Sequence, residues 1–426
     1  MKKYFLYILL FSTTCTSYAQ YREEALLIVD TLTSPYMNGR GYVNNGNKKA
    51  AEYISNIFEK NQLSKFGKNY YQEFKMDVNT FPDKITLIIN GKTLIAGEDF
   101  IVSGNSGEIE GDFSLLQIDS NILHSTEQLK KIYNNAKKDQ LLVFYKKDFS
   151  TTDYNELPGL FQGTNCLNKA GVIEITEDKL TMDIAMEQMN YAQFVVSASK
   201  ITGKINSVSA TMHPEFLRNY STQNIIGFVE GKVNKDSFFV FTAHYDHLGQ
   251  FGDKAYFPGA NDNASGIAML LELVKYYSLP ENQPEYSIVF IAFSGEELGL
   301  VGSKFYVEHP LFELKKIKFL INMDIMGTGD DGIKVVNGAI LTDAFNALVN
   351  INTEKNYLKS VQPRGKAANS DHYFFFENGV PCFFIYTLGG IAAYHDVYDK
   401  AETLPLIEFD DLFKLLVDFE ESFEED

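Results

Sequence analysis

Beyond residue 220 the chain settles into a rhythm of short apolar runs and longer helix-like ones. Ser237 to Ala243 (SFFVFTA), Tyr286 to Phe293 (YSIVFIAF), Lys316 to Met323 (KIKFLINM) and Pro381 to Tyr386 (PCFFIY) are short and apolar at most positions. Successive side chains of a strand point to opposite faces, so runs of this kind predict strands covered on both faces. Ala264 to Tyr277 (ASGIAMLLELVKYY), Gly299 to Glu308 and Ile407 to Phe423 predict helices, the last of them amphipathic. Strands and helices in alternation predict an α/β fold, a mixed, largely parallel sheet sandwiched by helices. Near the start, Asn47 to Lys60 sets Ala50, Ala51, Ile54, Ile57 and Phe58 on one helical face, after a turn-like Asn38-Gly39-Arg40-Gly41.

Between Phe81 and Val208 the rhythm breaks. Short alternating segments such as Lys84 to Ile89 and Gln140 to Tyr145 read as strands, and Asn90-Gly91 is a hairpin turn signal. No alternation of strand and helix is evident there. The expected organisation is a catalytic domain over 20–80 and 209–426, interrupted by a β-rich domain over 81–208. The first nineteen residues have their own pattern: Lys2 and Lys3, an apolar run from Tyr4 to Phe11, then Ser17-Tyr18-Ala19. This predicts a signal peptide cleaved near Ala19 and an exported protein, periplasmic or secreted. The run is too short to span a bilayer, and no later stretch suits a transmembrane helix, so an integral membrane protein is not expected.

Composition narrows the function. A 45% hydrophobic content supports a normal core, with 34 Phe and 25 Tyr supplying aromatic packing in the absence of Trp. The formal net charge of -18 disfavours nucleic acid as a partner, since phosphate backbones are repelled. Acidic pockets suit metal cations and free amines. Cys166 and Cys382 fit no zinc-finger or redox spacing; export permits a disulfide, but two buried thiols are the expectation.

In open α/β sheets, ligands bind beyond the carboxyl ends of the strands. After the first apolar run comes His244-Tyr245-Asp246-His247, after the second Ser294-Gly295-Glu296-Glu297, and after the third Asp324. After the last, past a glycine loop, comes Tyr394-His395-Asp396, and Pro258 to Gly266 (PGANDNASG) links the first strand to its helix. Alone, Asp262 reads as a turn former and Glu296-Glu297 as a charge pair at a helix start. An unpaired Asp324 behind a buried strand would be costly. Together, two histidines and three carboxylates suit two zinc ions with one carboxylate bridging. The ions would polarise a scissile carbonyl and acidify a bridging water. A neighbouring carboxylate outside the ligand set then acts as general base, which assigns Glu297 as ligand and Glu296 as base. Asp246 would orient His244 through its other ring nitrogen.

In this order, HYDH, PGANDNASG, SGEELGLVGS, NMD and YHDVYD resemble the M28 family of zinc aminopeptidases and related carboxypeptidases. The resemblance extends to NGRG, the AAEYI helix and Gln223 to Gly227. It implies a zinc-exopeptidase fold, a mixed sheet of about eight strands between helices. It also implies that Asp262 bridges the two zinc ions, that His244 and Asp324 complete one site and Glu297 and His395 the other, that Glu296 is the base, and that Asp246 stands behind His244. Peptide or protein substrates cut from the amino end are implied. The alternatives are a carboxypeptidase, which would need a basic group for the substrate carboxylate, and a glutaminyl-cyclase-like enzyme with one zinc. An inactive binding protein would have lost a ligand or the base, and all six positions are filled. Leu141 to Tyr145 and Ala170 to Ile173 are similar to parts of the protease-associated module that many relatives carry.

Other residues receive plainer readings. His247 lines the pocket or packs. Asn261, Asn263 and Ser265 shape their loop. Ser370-Asp371-His372, with no G-x-S-x-G elbow, is local structure or pocket support. Tyr386 packs in the core, with stabilisation of the tetrahedral oxyanion as the alternative; Arg40 pairs with an acidic residue, and His124, His213 and His309 lie on the surface without notable partners. Glu420 to Asp426 is a solvated end.

Overall fold

The structure, a computed structural model, describes residues 20–123, 139–155 and 170–423. Eight strands form the sheet that organises the molecule, numbered here in chain order. They are β1 (Tyr71–Thr80), β2 (Glu215–Val229), β3 (Asn234–His244), β4 (Tyr286–Phe293), β5 (Ile317–Met323), β6 (Gly332–Val336), β7 (Val361–Arg364) and β8 (Cys382–Leu388). Their spatial order is β1-β2-β4-β3-β5-β8-β6-β7. β4, β3, β5 and β8 run parallel, while β2 on β4, β1 on β2 and β6 on β8 are antiparallel. The sheet is therefore mixed, with a parallel centre.

The central strands are parallel because both their faces are apolar and both are covered. Phe239, Phe241 and Ala243 of β3 join the larger core with the helices Gln20–Thr33, Ser265–Tyr277 and Phe409–Glu421. Phe238 and Val240 point the other way, onto Tyr306, Phe375 and Cys382. Cys382 is a free, buried thiol; Cys166 lies outside the described residues, as do His124 and the expected leader at residues 1–19. Register places the chemistry. Thr242 pairs with Ala292's neighbour Ile291 on one side and with Asn322 on the other. His244 and Asp324 each lie two residues beyond that level, on one rim.

The closing helix runs from Phe409 to Glu421, and Glu420 is not solvated as expected. It shares the helical face of Phe413, Leu416 and Val417, is fully buried, and accepts from Tyr277 Oη at 3.0 Å. Among the described residues no helix is long and apolar enough to cross a membrane.

A second eight-stranded sheet is drawn from Thr86–Ile89 through Val208–Met212. Asn90 and Gly91 take φ of 51° and 77°, the left-handed pair that a tight hairpin needs, and join Thr86–Ile89 to Lys92–Thr93. Its middle differs from the sequence reading. Ile109–Gln117, Gln140–Tyr145, Gly171–Thr176 and Ala192–Ser197 are parallel neighbours, so crossovers must join them. The core of this sheet takes in Leu248, Phe251, Phe257 and Val397, so it packs directly on the loops that flank His247, Asp262 and His395.

Candidate metal centre

The six residues expected to do chemistry meet at the rim. His244, at the end of β3, is buried, and its Nδ1 donates to the backbone carbonyl of Asp246 at 3.2 Å. A carbonyl can only accept, so Nδ1 carries the proton and Nε2 offers its lone pair. Asp246 thus orients His244 through its main chain. Its carboxylate is 3.9 Å from Nδ1, and accepts instead from Tyr42 Oη (3.0 Å) and Glu296 N (3.2 Å). Two residues past the imidazole, the carbonyl reaches the ring before the side chain can.

His395 is arranged alike. Its Nδ1 donates to the carbonyl of Met182 at 3.0 Å, leaving Nε2 for the centre. Asp262 lies between the imidazoles: Oδ1 is 3.4 Å from His244 Nε2, and Oδ2 is 3.1 Å from His395 Nε2. Asp324 Oδ1 is also 3.4 Å from His244 Nε2, and Glu297 Oε2 is 3.2 Å from His395 Nε2. Glu296 stands further off, 4.0 Å from His244 Nε2.

These spacings suit zinc. Ligands about 2.0–2.1 Å from a tetrahedral ion are separated by about 3.3–3.4 Å. His244 Nε2 and Asp324 Oδ1 are buried without a hydrogen-bond partner, facing each other across that gap. Buried polar atoms rarely stay unpaired, and a cation between them supplies the missing partner. The donor set therefore fits zinc: His244 and Asp324 would hold an ion on one side of Asp262, and His395 and Glu297 could hold one on the other.

The charges point the same way. Burial opposes a charged His244, yet Glu296 and Asp324 outweigh it and push the imidazole well above its ordinary range. Burial is likewise overcome at His395 by Glu297 and Asp262, which lift it to about 11. Glu297 is driven well below the usual carboxylate range by His395 and His247, against its burial. Burial holds Glu296 well above that range, with His244 pulling the other way. The imidazoles take up protons to answer clustered carboxylates, and a dication answers the same field.

Residues that the sequence marked only as packing, pocket support or loop shapers hold these groups in place. His247 is fully buried and its Nδ1 contacts Glu297 Oε1 at 2.6 Å, leaving Oε2 for the centre. Ser370 Oγ donates to Asp324 Oδ2 (3.0 Å) and accepts from Asn322 Nδ2 (2.7 Å), whose oxygen accepts from Thr242 Oγ1 (2.7 Å). The Ser370 hydroxyl is thus spent on orienting a carboxylate. His372, buried, has its imidazole lowered to about 4 by that burial. Asp399 accepts from the backbone N–H groups of Asn261 and Asp262. Asn261, Asn263 and Ser265 do shape their loop, tying it to Gly327, Ile325 and Met326 beyond Asp324.

Three other expectations need correction. Among the described residues Arg40 has no carboxylate partner; it is fully buried and donates to five backbone carbonyls, those of Tyr245, Leu32, Pro258, Gly259 and Asp262. Tyr386 is half-buried at the mouth of the site rather than in the core, since β8 alternates and Tyr386 shares the open side with Phe384. Its hydroxyl accepts from Arg364 Nη1 at 3.2 Å. His213, though on the surface, pairs with Glu108 at 2.8 Å. A cavity of about 300 Å³ opens over the centre, lined by Asp262, Glu296, Asp324, Arg364, Tyr386 and Tyr394 among others.

Comparison with known proteins gives the arrangement a context. Residues 224–419 match the model of Peptidase family M28. Over 122 residues the chain is 41% identical to aminopeptidase YwaD of Bacillus subtilis (strain 168), a match covering 28% of this chain and 25% of that protein. The chain thus spans about a quarter of that relative's length. The structure of BSAP, a zinc aminopeptidase from Bacillus subtilis, aligns over 95% of this chain and 94% of its own, with a TM-score of 0.68 and 20% identity. A peptidase M28 precursor from Shewanella amazonensis SB2B aligns over 94% and 93%, with a TM-score of 0.67 and 16% identity. At such identities the likeness is one of fold.

Proposed function

We propose, from the match of residues 224–419 to the Peptidase family M28 model, that the chain is an exported aminopeptidase that works with two zinc ions. The observation that carries the reading is Asp262, whose two oxygens are divided between the imidazoles of His244 and His395 at 3.4 and 3.1 Å. When bound, zinc supplies Lewis acidity, polarising the scissile carbonyl and acidifying the attacking water.

The remaining steps fall to the chain. Glu296 lines the cavity and lies outside the 3.4 Å shell around His244, so it is free to take the water's proton and return it to the leaving amine. The cavity, about 300 Å³, is at the lower end for ligand sites and suits one residue rather than a chain passing through. Its carboxylates favour an α-ammonium, which supports cleavage from the amino end. Tyr394 stacks on His395 with ring centroids 4.0 Å apart and lines the same cavity.

Arg364 favours a second reading. It lines the cavity and is the kind of basic group that a substrate carboxylate requires. A carboxypeptidase, or an aminopeptidase preferring very short peptides, would use it.

One experiment separates these readings. Purified protein should hold two zinc ions per chain, lose activity to a chelator and regain it with zinc. N-terminal acetylation of a test peptide should abolish cleavage, and C-terminal amidation should leave it. The reverse pattern establishes a carboxypeptidase. One zinc, with cyclisation of N-terminal glutamine and no hydrolysis, establishes the cyclase. Export rests on the Lys2 to Ala19 pattern; mass spectrometry of the exported protein should find a chain beginning at Gln20, and full-length protein retained in the cytoplasm would end that part of the reading.

A further inference from the structure

The loop following Gly171–Thr176 of the second sheet reaches across to the segment that carries His395. Lys179 Nζ donates to the carbonyls of Ala392 (2.6 Å) and Tyr394 (2.9 Å) and pairs with Asp396 Oδ2 (2.7 Å). These three acceptors use all the donors an ammonium has. Three residues on, Met182 bonds His395 twice. Its N–H donates to the His395 carbonyl (2.9 Å), and its carbonyl accepts from His395 Nδ1 (3.0 Å). The loop is itself anchored to its own sheet. Met182 is buried in that sheet's core, and Asp183 Oδ1 accepts from Gly104 N at 2.8 Å.

The His395 segment needs an external hold. Residues 389–396 belong to no helix or strand, and Gly389 and Gly390 begin the stretch. His395 takes φ of 51°, a left-handed conformation that a residue with a Cβ keeps only where its surroundings enforce it. The imidazole turns about two bonds, Cα–Cβ and Cβ–Cγ, and the Nδ1 hydrogen bond that fixes its plane goes to the second sheet's loop.

Resting on the reading of His395 as a zinc ligand, we propose that the second sheet is a working part of the metal centre. Lys179, together with the Met182 main chain, sets the position of His395 and thereby the affinity of the ion that His395 and Glu297 would hold. Lys179 touches neither substrate nor the metal ligands' donor atoms, so it is a positioning residue. Partners that orient a metal-bound imidazole change affinity by about 10–100-fold, which sets the effect to look for. Lys179 is 42% exposed, so solvent partly screens its pairing with the buried Asp396, and the metal is the sharper readout.

The test is zinc binding to the full-length chain by competition with a chromophoric chelator, for wild type, Lys179→Met, Lys179→Arg and His395→Ala. Lys179→Met keeps the aliphatic stem and removes the donors. It should hold one zinc as wild type does and the other about tenfold or more weakly. Lys179→Arg should restore most of the loss, and excess zinc should restore kcat in Lys179→Met. If Lys179→Met holds both ions with wild-type affinity while His395→Ala loses one, the inference fails and the zinc reading stands. Equal weakening of both ions in Lys179→Met, tracking a lower Tm, also overturns it, because that is general destabilisation. If His395→Ala still holds two ions, it is the zinc reading itself that fails.

Discussion

Glu296→Gln is expected to keep the fold and both zinc ions while kcat falls by about 10²–10⁴-fold, the usual worth of a positioned general base. The substitution preserves shape and hydrogen-bonding reach but removes the ability to take a proton. One observation separates Glu296 from the proposed ligands. Its carboxylate is 4.0 Å from His244 Nε2, where Asp262 and Asp324 are each at 3.4 Å. Its main-chain N–H donates to Asp246 at 3.2 Å, a contact the side-chain change leaves alone. KM should move little, because a group that acts only on the proton in flight is engaged in the transition state and not in the bound substrate. Loss of zinc in the variant would instead make Glu296 a ligand, an arrangement the geometry admits, since ligand atoms of His244, Glu296 and Asp324 fall within 4.8 Å of one another. Retention of near-full activity would remove Glu296 from the mechanism.

What the sequence displays, and what it hides, follows from how each feature is stabilised. SFFVFTA and YSIVFIAF are legible because a strand covered on both faces must be apolar throughout, and His244 and Glu297 are legible because they follow such strands directly. The groups that hold them are not. His247 on Glu297, Ser370 on Asp324 and Met182 on His395 are bonds between loops far apart in the chain, and a hydrogen bond between distant loops imposes no periodicity on either. Residue spacing sets Asp246 beside His244, but spacing cannot tell a carbonyl from a carboxylate. Tyr386 could have been placed from β8 itself, since a residue two beyond Phe384 near the carboxyl end of a strand faces the same rim. The parallel middle of the second sheet left no signal because its strands are short and its crossovers lack a clear apolar period.

Arg40→Met is expected to destabilise the chain by about 3–5 kcal/mol and to abolish tight zinc binding at both sites. A guanidinium has five N–H donors, and all five are used. Nε reaches Tyr245 O at 2.9 Å, Nη1 reaches Leu32 O (3.2 Å) and Pro258 O (2.6 Å), and Nη2 reaches Gly259 O (2.8 Å) and Asp262 O (3.2 Å). Burial lowers its pKa to about 10, against the pull of Asp262 and Asp399, so it stays charged at neutral pH. The preceding turn brings it there: Gly39 takes φ of 60°, and a Cβ on it would collide with the carbonyl of Phe257. Three of the five acceptors belong to Pro258, Gly259 and Asp262, the segment that presents the bridging carboxylate, so the loss strands buried carbonyls and frees that loop together. Arg40→Lys should fare little better, because three donors on a point charge cannot serve five acceptors spread over a plane. Urea unfolding and zinc analysis on the same samples check both halves. An Arg40→Met protein with an unchanged midpoint and two tightly held ions would show that the Asp262 loop stands by itself.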